Sequence, residues 1–198
     1  MTHPESARAV FLDKDGTLID DVPYNVDPAR VRLAPGSAEG LPRLHEAGFR
    51  LIVVTNQAGV ALGRFPSEAL AGVEGRIRQL LAELGIPLAG FYHCPHHPEG
   101  TVAPFAVACD CRKPAPGMIL RAAAEHGVDL GRSWLVGDIL HDVEAGRRAG
   151  CRTILLDNGH ETEWDLSPGR TPDGRAADLA EAAALILAGD LAPTGARP

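Results

Sequence analysis

The sequence predicts an α/β fold, a Rossmann-like parallel sheet with helices on both faces, and three observations support this prediction. Short runs of apolar and β-branched residues alternate along the chain with segments of helical spacing. The runs are apolar on both faces, which is typical of strands buried between two helical layers. Four of the helical segments end at a glycine, a common helix stop. We therefore predict a single domain over residues 1–190 and a disordered tail over residues 191–198.

Five strands and five helices are predicted in alternating order. The predicted strands cover residues 10–13, 51–55, 91–93, 134–138 and 153–156. The predicted helices cover residues 37–47, 67–84, 117–126, 141–149 and 178–188. Pro42 lies within the first of these helices, so this helix is either kinked or begins later. In such folds, functional sites lie beyond the carboxyl ends of the strands, which is where Asp13, Thr55 and Asp138 stand.

The composition is that of a soluble globular protein of ordinary domain size. The chain has 198 residues, of which 45% are hydrophobic and 23% are charged, and its formal net charge is -7. The scattered Lys and Arg residues provide no basic patch for nucleic acid. The apolar run 182–188 is too short to span a membrane, and residues 1–5 lack a signal-peptide pattern. We expect a cytoplasmic monomer without nucleic-acid or membrane partners, in a compartment where thiols stay reduced.

Two carboxylates follow the first predicted strand in the segment Asp13-Lys-Asp-Gly-Thr17. Asp13 and Asp15 share a face because strand side chains alternate, and Gly16 lets the backbone turn beside them. One carboxylate could attack phosphorus to form an aspartyl-phosphate, while the other handles the proton of the leaving group. Taken alone, this segment could equally be a surface turn. A calcium loop would need further oxygen ligands and a terminal Glu, which residues 17–19 do not supply.

Cysteine and histidine residues cluster in the predicted loop between the third strand and the third helix. Cys94 and His96 form a Cys-x-His pair, and Cys109 and Cys111 form a Cys-x-Cys pair. Four such ligands are typical of tetrahedral structural zinc sites, which leave no open position. A long proline-rich loop with few apolar residues needs such a clamp, so the predicted fold includes a zinc-stabilised loop. The alternatives are free buried thiols beside a surface histidine cluster, or His97 as the ligand in place of His96.

Four short motifs resemble, in order, those of the haloacid dehalogenase-like superfamily. They are Asp13-Lys-Asp-Gly-Thr17, Thr55-Asn56-Gln57, Arg112-Lys113-Pro114, and Gly137-Asp138 with Asp142 four residues later. Within this superfamily, two further segments are similar to those of the heptose 1,7-bisphosphate 7-phosphatases and the related histidinol-phosphate phosphatases. These segments are Cys94-Pro-His96-His97-Pro98 and Cys109-Asp-Cys111-Arg112-Lys113-Pro114, and their pattern favours His96 over His97 as the zinc ligand.

The resemblance implies a Mg²⁺-dependent phosphatase that works through an aspartyl-phosphate. It implies Asp13 as the nucleophile and Asp15 as the general acid. Thr55 would donate its hydroxyl to a phosphoryl oxygen, and Lys113 would stabilise the phosphoryl charge. The implied Mg²⁺ ligands are Asp13, Asp15 through its backbone carbonyl, and Asp138. A cation is needed because a phosphate dianion repels a carboxylate nucleophile, and carboxylates are hard ligands suited to Mg²⁺.

The resemblance also implies which residues contact the substrate, a small sugar phosphate. They are Asp21, Val22, Pro23, Tyr24, Asn56, Gln57, Ala58 and Arg112. Arg112 would bind the distal phosphate of a bisphosphate. Two positions depart from the family pattern, since Ile139 stands where the heptose bisphosphatases usually carry Lys and Ala58 where Ser is common. Asp142 could orient Lys113 or a metal-bound water, or could be an exposed helix acid.

Three functions are compatible with these features. The first is removal of the 7-phosphate from D-glycero-D-manno-heptose 1,7-bisphosphate. The second, with the same mechanism, is hydrolysis of histidinol phosphate. The third is a zinc-stabilised binding module without catalytic activity, in which two adjacent carboxylates facing a lysine would have no use.

Overall fold

The computed structural model describes residues 6–190 and confirms the predicted α/β architecture. The strands are β1 (Arg8–Leu12), β2 (Phe49–Asn56), β3 (Leu88–Cys94), β4 (Trp134–Gly137), β5 (Arg152–Leu156) and β6 (Gly174–Ala176). The helices are α1 (Ser37–Glu46), α2 (Leu70–Glu83), α3 (Gly117–His126), α4 (Leu140–Ala149) and α5 (Leu179–Asp190). All strand pairs are parallel, in the order β3-β2-β1-β4-β5-β6. The predicted disorder of residues 191–198 lies outside the described residues.

Two helical layers cover the sheet, as predicted from strands that are apolar on both faces. On one face, Val10 and Leu51 pack in a buried cluster with side chains of α1, α2 and α5. On the other face, Phe11 and Ile52 pack with side chains of α3 and α4. Successive residues of β1 and β2 therefore enter opposite cores, as expected for strands buried between two helical layers. Within residues 6–190, no helix is long and apolar enough to cross a membrane.

Two details differ from the sequence prediction. The short strand β6 was not predicted, because its position is set by pairing with β5 and by burial of Ala176 rather than by any periodicity. Helix α1 begins at Ser37 and contains Pro42, so the expectation of a later start is wrong. The fully buried Leu41 and Leu44 flank the proline, and their packing stabilises the helix despite the lost backbone donor.

The carboxyl ends of β1, β2 and β4 lie side by side at the centre of the sheet. From β1 the chain adds β2 and β3 on one side and then β4, β5 and β6 on the other. The strand order therefore reverses between β1 and β4, the place where open α/β sheets bind ligands. Asp13 directly follows β1, Asp138 directly follows β4, and Thr55 is the last residue but one of β2.

Candidate active site

A buried lysine lies between two carboxylates at this edge of the sheet. Lys113 is 3% exposed, and its Nζ lies 2.5 Å from Asp13 Oδ1 and 2.6 Å from Asp142 Oδ1. The same Nζ donates a hydrogen bond of 2.9 Å to the carbonyl of Val54. Burial alone would lower the pKa of Lys113, but the charges of Asp13 and Asp142 raise it above its ordinary value. Lys113 is therefore held as a cation facing Asp13.

Asp142 is fully buried, so the expectation of an exposed helix acid is wrong. It lies in the first turn of α4, where its Oδ2 accepts a hydrogen bond of 3.3 Å from the backbone N–H of Ile139. Its other oxygen forms the ion pair with Lys113. This ion pair is the contact expected if Asp142 orients Lys113.

Asp138 completes a cluster of three carboxylates. Oxygen atoms of Asp13, Asp138 and Asp142 all lie within 4.8 Å of one another. Burial, followed by the negative charges of Asp13 and Asp142, raises the pKa of Asp138 above its ordinary value. Three carboxylates around one lysine leave excess negative charge in a buried place, which a divalent cation would neutralise. Hard oxygen donors in this arrangement fit Mg²⁺.

The carboxylate of Asp15 is partly exposed and makes its contacts with other residues than those of this cluster. Its Oδ2 accepts a hydrogen bond of 3.0 Å from Gln57 Nε2, which also lies 3.0 Å from Thr55 Oγ1. Its Oδ1 lies 3.1 Å from Nζ of the buried Lys14. Burial is the largest influence on the pKa of Asp15 and raises it, against the opposing charge of Lys14. A raised pKa favours the protonated form that a general acid requires.

Most of the predicted substrate residues line one cleft of about 140 Å³ beside Asp15. They are Asp21, Val22, Tyr24, Asn56, Gln57 and Ala58, and Lys14 joins them. Tyr24 is 53% exposed, with a φ of 55° that is unusual for a residue with a side chain. Arg64 lies with its guanidinium 5.6 Å from the centre of the Tyr24 ring. Pro23 and Arg112 are not among the residues that line this cleft.

Asn56 has a second role besides lining the cleft. Its Oδ1 accepts from the backbone N–H of Lys113, and its Nδ2 donates to the carbonyl of Lys113, both at 3.0 Å. The end of β2 thereby fixes the backbone of the loop that carries Lys113. The adjacent Arg112 donates from Nη1 to the carbonyl of His96 at 3.3 Å.

The predicted zinc ligands converge on one point at the end of β3 and in the loop between β3 and α3. The sulfur atoms of Cys94, Cys109 and Cys111 lie 3.1–3.5 Å apart, and His96 Nδ1 lies 3.4 Å from Cys111 Sγ. Zn–S bonds of about 2.3 Å place the sulfurs of a tetrahedral site roughly 3.8 Å apart, so a small expansion accommodates the ion. Burial raises the pKa of the Cys94 thiol, and a bound cation would favour its thiolate. This cluster could hold zinc.

His97 lies outside the cluster and accepts a hydrogen bond from the backbone N–H of Glu99. The geometry therefore favours His96 as the fourth ligand. Cys111 precedes Lys113 by two residues, so the cluster and the buried lysine share one short stretch of backbone.

Three side chains that the sequence did not indicate reach the site from the loop after β5. Asn158 Nδ2 donates to the carbonyl of Gly16 at 2.7 Å, and His160 Nδ1 lies 2.7 Å from Asp138 Oδ2. Glu161 Oε2 accepts from the backbone N–H of Leu140 at 2.6 Å. These residues belong to no recognised motif and lie in a stretch rich in Gly, Pro and acidic residues. Their one available signal was their position just beyond the carboxyl end of β5.

Comparison with known proteins finds heptose bisphosphate phosphatases among the relatives of this chain. A D-glycero-β-D-manno-heptose-1,7-bisphosphate 7-phosphatase from Yersinia pestis is 40% identical over 152 residues, which cover 77% of this chain and 81% of the relative. A protein of the same name from Pasteurella multocida is 40% identical over 153 residues, covering 77% and 83% of the two chains. A HAD-hydrolase-like family model matches residues 110–182.

Solved structures agree with these relatives. A HAD-like phosphatase from Mesorhizobium loti is 37% identical, with a TM-score of 0.81 over 96% of this chain and 89% of that one. The D,D-heptose 1,7-bisphosphate phosphatase of B. bronchiseptica, solved with magnesium and phosphate, is 31% identical, with a TM-score of 0.74 over 92% and 99%. The resemblance predicted from the motifs is confirmed. The chain belongs to the haloacid dehalogenase-like hydrolases, in the family of the heptose 1,7-bisphosphate 7-phosphatases.

Proposed function

We propose that this protein is a Mg²⁺-dependent phosphatase that removes the 7-phosphate of D-glycero-D-manno-heptose 1,7-bisphosphate. The observation that carries the proposal is the convergence of Asp13, Lys113 and Asp138 at the point where the strand order reverses. The names of the relatives support the choice of substrate. The β anomer in the names of the bacterial relatives makes that anomer the first to test.

The residues present account for both halves of the reaction. Asp13 attacks phosphorus, and the bond from phosphorus to the sugar oxygen breaks as that oxygen takes a proton from Asp15. Asp15 then removes a proton from water, which attacks phosphorus and releases phosphate and the carboxylate of Asp13. Lys113 keeps Asp13 anionic and stabilises the phosphoryl oxygens, and Thr55 donates its hydroxyl to one of them. Mg²⁺, when held by Asp13, Asp138 and the carbonyl of Asp15, neutralises the charge of the transferred group.

Phosphate release with and without Mg²⁺ tests this proposal. The panel should contain heptose 1,7-bisphosphate in both anomers, fructose 1,6-bisphosphate and histidinol phosphate. We expect Mg²⁺-dependent release with the largest kcat/KM for the heptose bisphosphate. A preference for histidinol phosphate would replace the substrate while keeping the mechanism. No release from any compound, with the protein folded and Mg²⁺ present, would leave the non-catalytic binding module as the function.

The cofactors and the working state are parts of the same proposal. Zinc is structural, bound by Cys94, His96, Cys109 and Cys111, and the enzyme acts as a cytoplasmic monomer on its small substrate. The set of four protein ligands supports a structural role for zinc, because a closed tetrahedral site leaves no position for a substrate. Metal analysis should give about one zinc per chain, and light scattering should give the mass of one chain.

A further inference from the structure

The loop after β5 is bonded to three separate parts of the site. Asn158 bonds to the carbonyl of Gly16, in the turn that follows Asp13 and Asp15. His160 bonds to Asp138, and Glu161 bonds to the first backbone N–H of α4. Each of these bonds lies between 2.6 and 2.7 Å. The outer two bonds fix the backbone on both sides of His160, so the imidazole is held against Asp138 by its own loop.

Asp138 has a hydrogen-bond donor on each of its oxygens. Thr17 Oγ1 donates to Oδ1 at 3.3 Å, and His160 Nδ1 faces Oδ2 at 2.7 Å. When Asp138 is ionised, as a metal ligand must be, it can only accept, and His160 then carries its hydrogen on Nδ1 in this contact. Asp138 is 5% exposed, whereas the side chain of His160 is 38% exposed, so the contact lies at the solvent edge of the site. The two donors together restrain rotation of the carboxylate.

Gly16 lies directly against this contact. A Cβ built on Gly16 would lie 2.3 Å from Asp138 Oδ2 and 2.4 Å from His160 Nδ1. The φ of Gly16 is +77°, a conformation that also favours glycine. The glycine of the Asp-x-Asp-Gly segment therefore leaves room for the imidazole to reach the carboxylate.

We infer that His160 is a positioning residue that orients the carboxylate of Asp138 toward the divalent cation. This inference rests on the proposed function to the extent that Asp138 is taken as a Mg²⁺ ligand. A hydrogen bond to a metal-binding side chain fixes its orientation, and loss of such a bond commonly weakens metal binding by about 10- to 100-fold. His160 acts through Asp138 and takes no part in bond making, so it should affect Mg²⁺ affinity rather than the chemical step.

Calorimetric titration of Mg²⁺ into Mg²⁺-free protein that retains its zinc tests the inference without turnover. We expect His160→Ala to raise the Kd for Mg²⁺ by about 10- to 100-fold. His160→Asn should restore most of the affinity, because the amide nitrogen of Asn occupies nearly the place of Nδ1. His160→Gln should not, because its amide lies one bond further along the side chain. His141→Ala is the matched control, since His141 lines the same small cavity as His160 but does not bond to Asp138.

Kinetics separate positioning from chemistry. The activity of His160→Ala should return close to the wild-type kcat at saturating Mg²⁺, with the change confined to the Mg²⁺ concentration required. An unchanged Mg²⁺ affinity in His160→Ala would overturn the inference. If that variant does not fold, equal affinities of the Asn and Gln variants would overturn it instead. Wild-type protein that binds Mg²⁺ but releases no phosphate would defeat the proposed function and leave the role of His160 standing.

Discussion

The zinc-type cluster and the carboxylate–lysine cluster are assembled in different ways. The ligands of the first all lie between Cys94, the last residue of β3, and Cys111 in the loop that follows. The second joins Asp13 to Lys113, a sequence separation of 100 residues, and adds Asp138 from a third segment. The first therefore needs the end of β3 and a single loop, whereas the second exists only when β1, β2 and β4 are paired.

Charge is balanced differently in the two clusters. Burial raises the pKa of Cys94 and so disfavours its thiolate, the form that binds a metal. A bound metal ion is therefore needed to stabilise the negative charge in this cluster. In the other cluster, Lys113 already balances part of the charge of Asp13 and Asp142. The carboxylate–lysine cluster should thus persist without Mg²⁺, while the loop between β3 and α3 should depend on zinc. Substitutions that disturb one cluster and spare the other test this difference.

The largest effect is expected for Asp13→Asn, which should abolish turnover. The amide cannot attack phosphorus and is a poor ligand for Mg²⁺. Lys113 retains its ion pair with Asp142, so the fold and the zinc content should be unchanged. Phosphate release, circular dichroism and metal analysis on the same sample check this. Activity within about tenfold of wild type would rule out the covalent mechanism.

The next largest effect is expected for Asp15→Asn, which removes the general acid but preserves its shape. The kcat for a sugar phosphate should fall by about 100- to 10,000-fold. An Asn oxygen can still accept the hydrogen bond from Gln57, so the cleft should keep its form. Asp15 also activates water in the second step, so the steady-state rate should fall for every substrate, and the comparison is made on the first turnover. In that turnover the release of p-nitrophenol, a leaving group that needs little protonation, should be slowed much less than the release of the sugar. Equal slowing of the first turnover on both substrates would show that Asp15 does not protonate the leaving group.

The sequence predicted these two acids because they belong to a compact motif directly after an apolar strand. Thr55 was located in the same way, Lys113 by the resemblance of Arg112-Lys113-Pro114 to a family motif, and the zinc-type cluster by its Cys-x-His and Cys-x-Cys pairs. The sequence could not decide whether Asp142 is buried or exposed, since helical spacing does not reveal which side chains pack against the first turn of α4. His160 was missed because its contact with Asp138 arises only when the loop after β5 folds back onto the sheet.

Arg112→Ala should have a smaller effect that depends on the substrate. A lost charged contact to the distal phosphate should cost about 1.5–3 kcal/mol in transition-state binding of the bisphosphate. A small monophosphate should be nearly unaffected. Arg112 donates to the carbonyl of His96 and does not line the cleft that holds Tyr24. The experiment therefore tests whether the guanidinium contacts the distal phosphate of the bound substrate.

Steady-state kinetics on heptose 1,7-bisphosphate and on a monophosphate would decide the role of Arg112. Arg121→Ala, which removes a largely exposed guanidinium on α3, is the control for loss of charge alone. Equal losses on both substrates would mean that Arg112 serves the reacting phosphate. No loss on either would leave recognition of the second phosphate to other residues.

The smallest effect on catalysis is expected for Cys109→Ser, which breaks the zinc-type cluster without touching the carboxylates. Zinc should fall from about one per chain to nearly none, and the melting temperature should fall because metal binding stabilises the loop. Each kcal/mol of lost stability lowers the melting temperature by roughly 2–4 °C in a chain of this size. Activity well below the melting temperature should persist at a reduced level, because Asn56 still holds the backbone of Lys113.

Cys151→Ser makes the same chemical change at a buried cysteine outside the cluster. It should leave the zinc content unchanged, which separates loss of the metal from loss of a buried thiol. If Cys109→Ser removed zinc and also abolished activity in a folded protein, the two clusters would form one unit through Arg112 and Lys113. If wild-type protein were folded and fully active with no zinc, the cluster would have no structural role, and the loop would be held by Asn56 and its own backbone contacts.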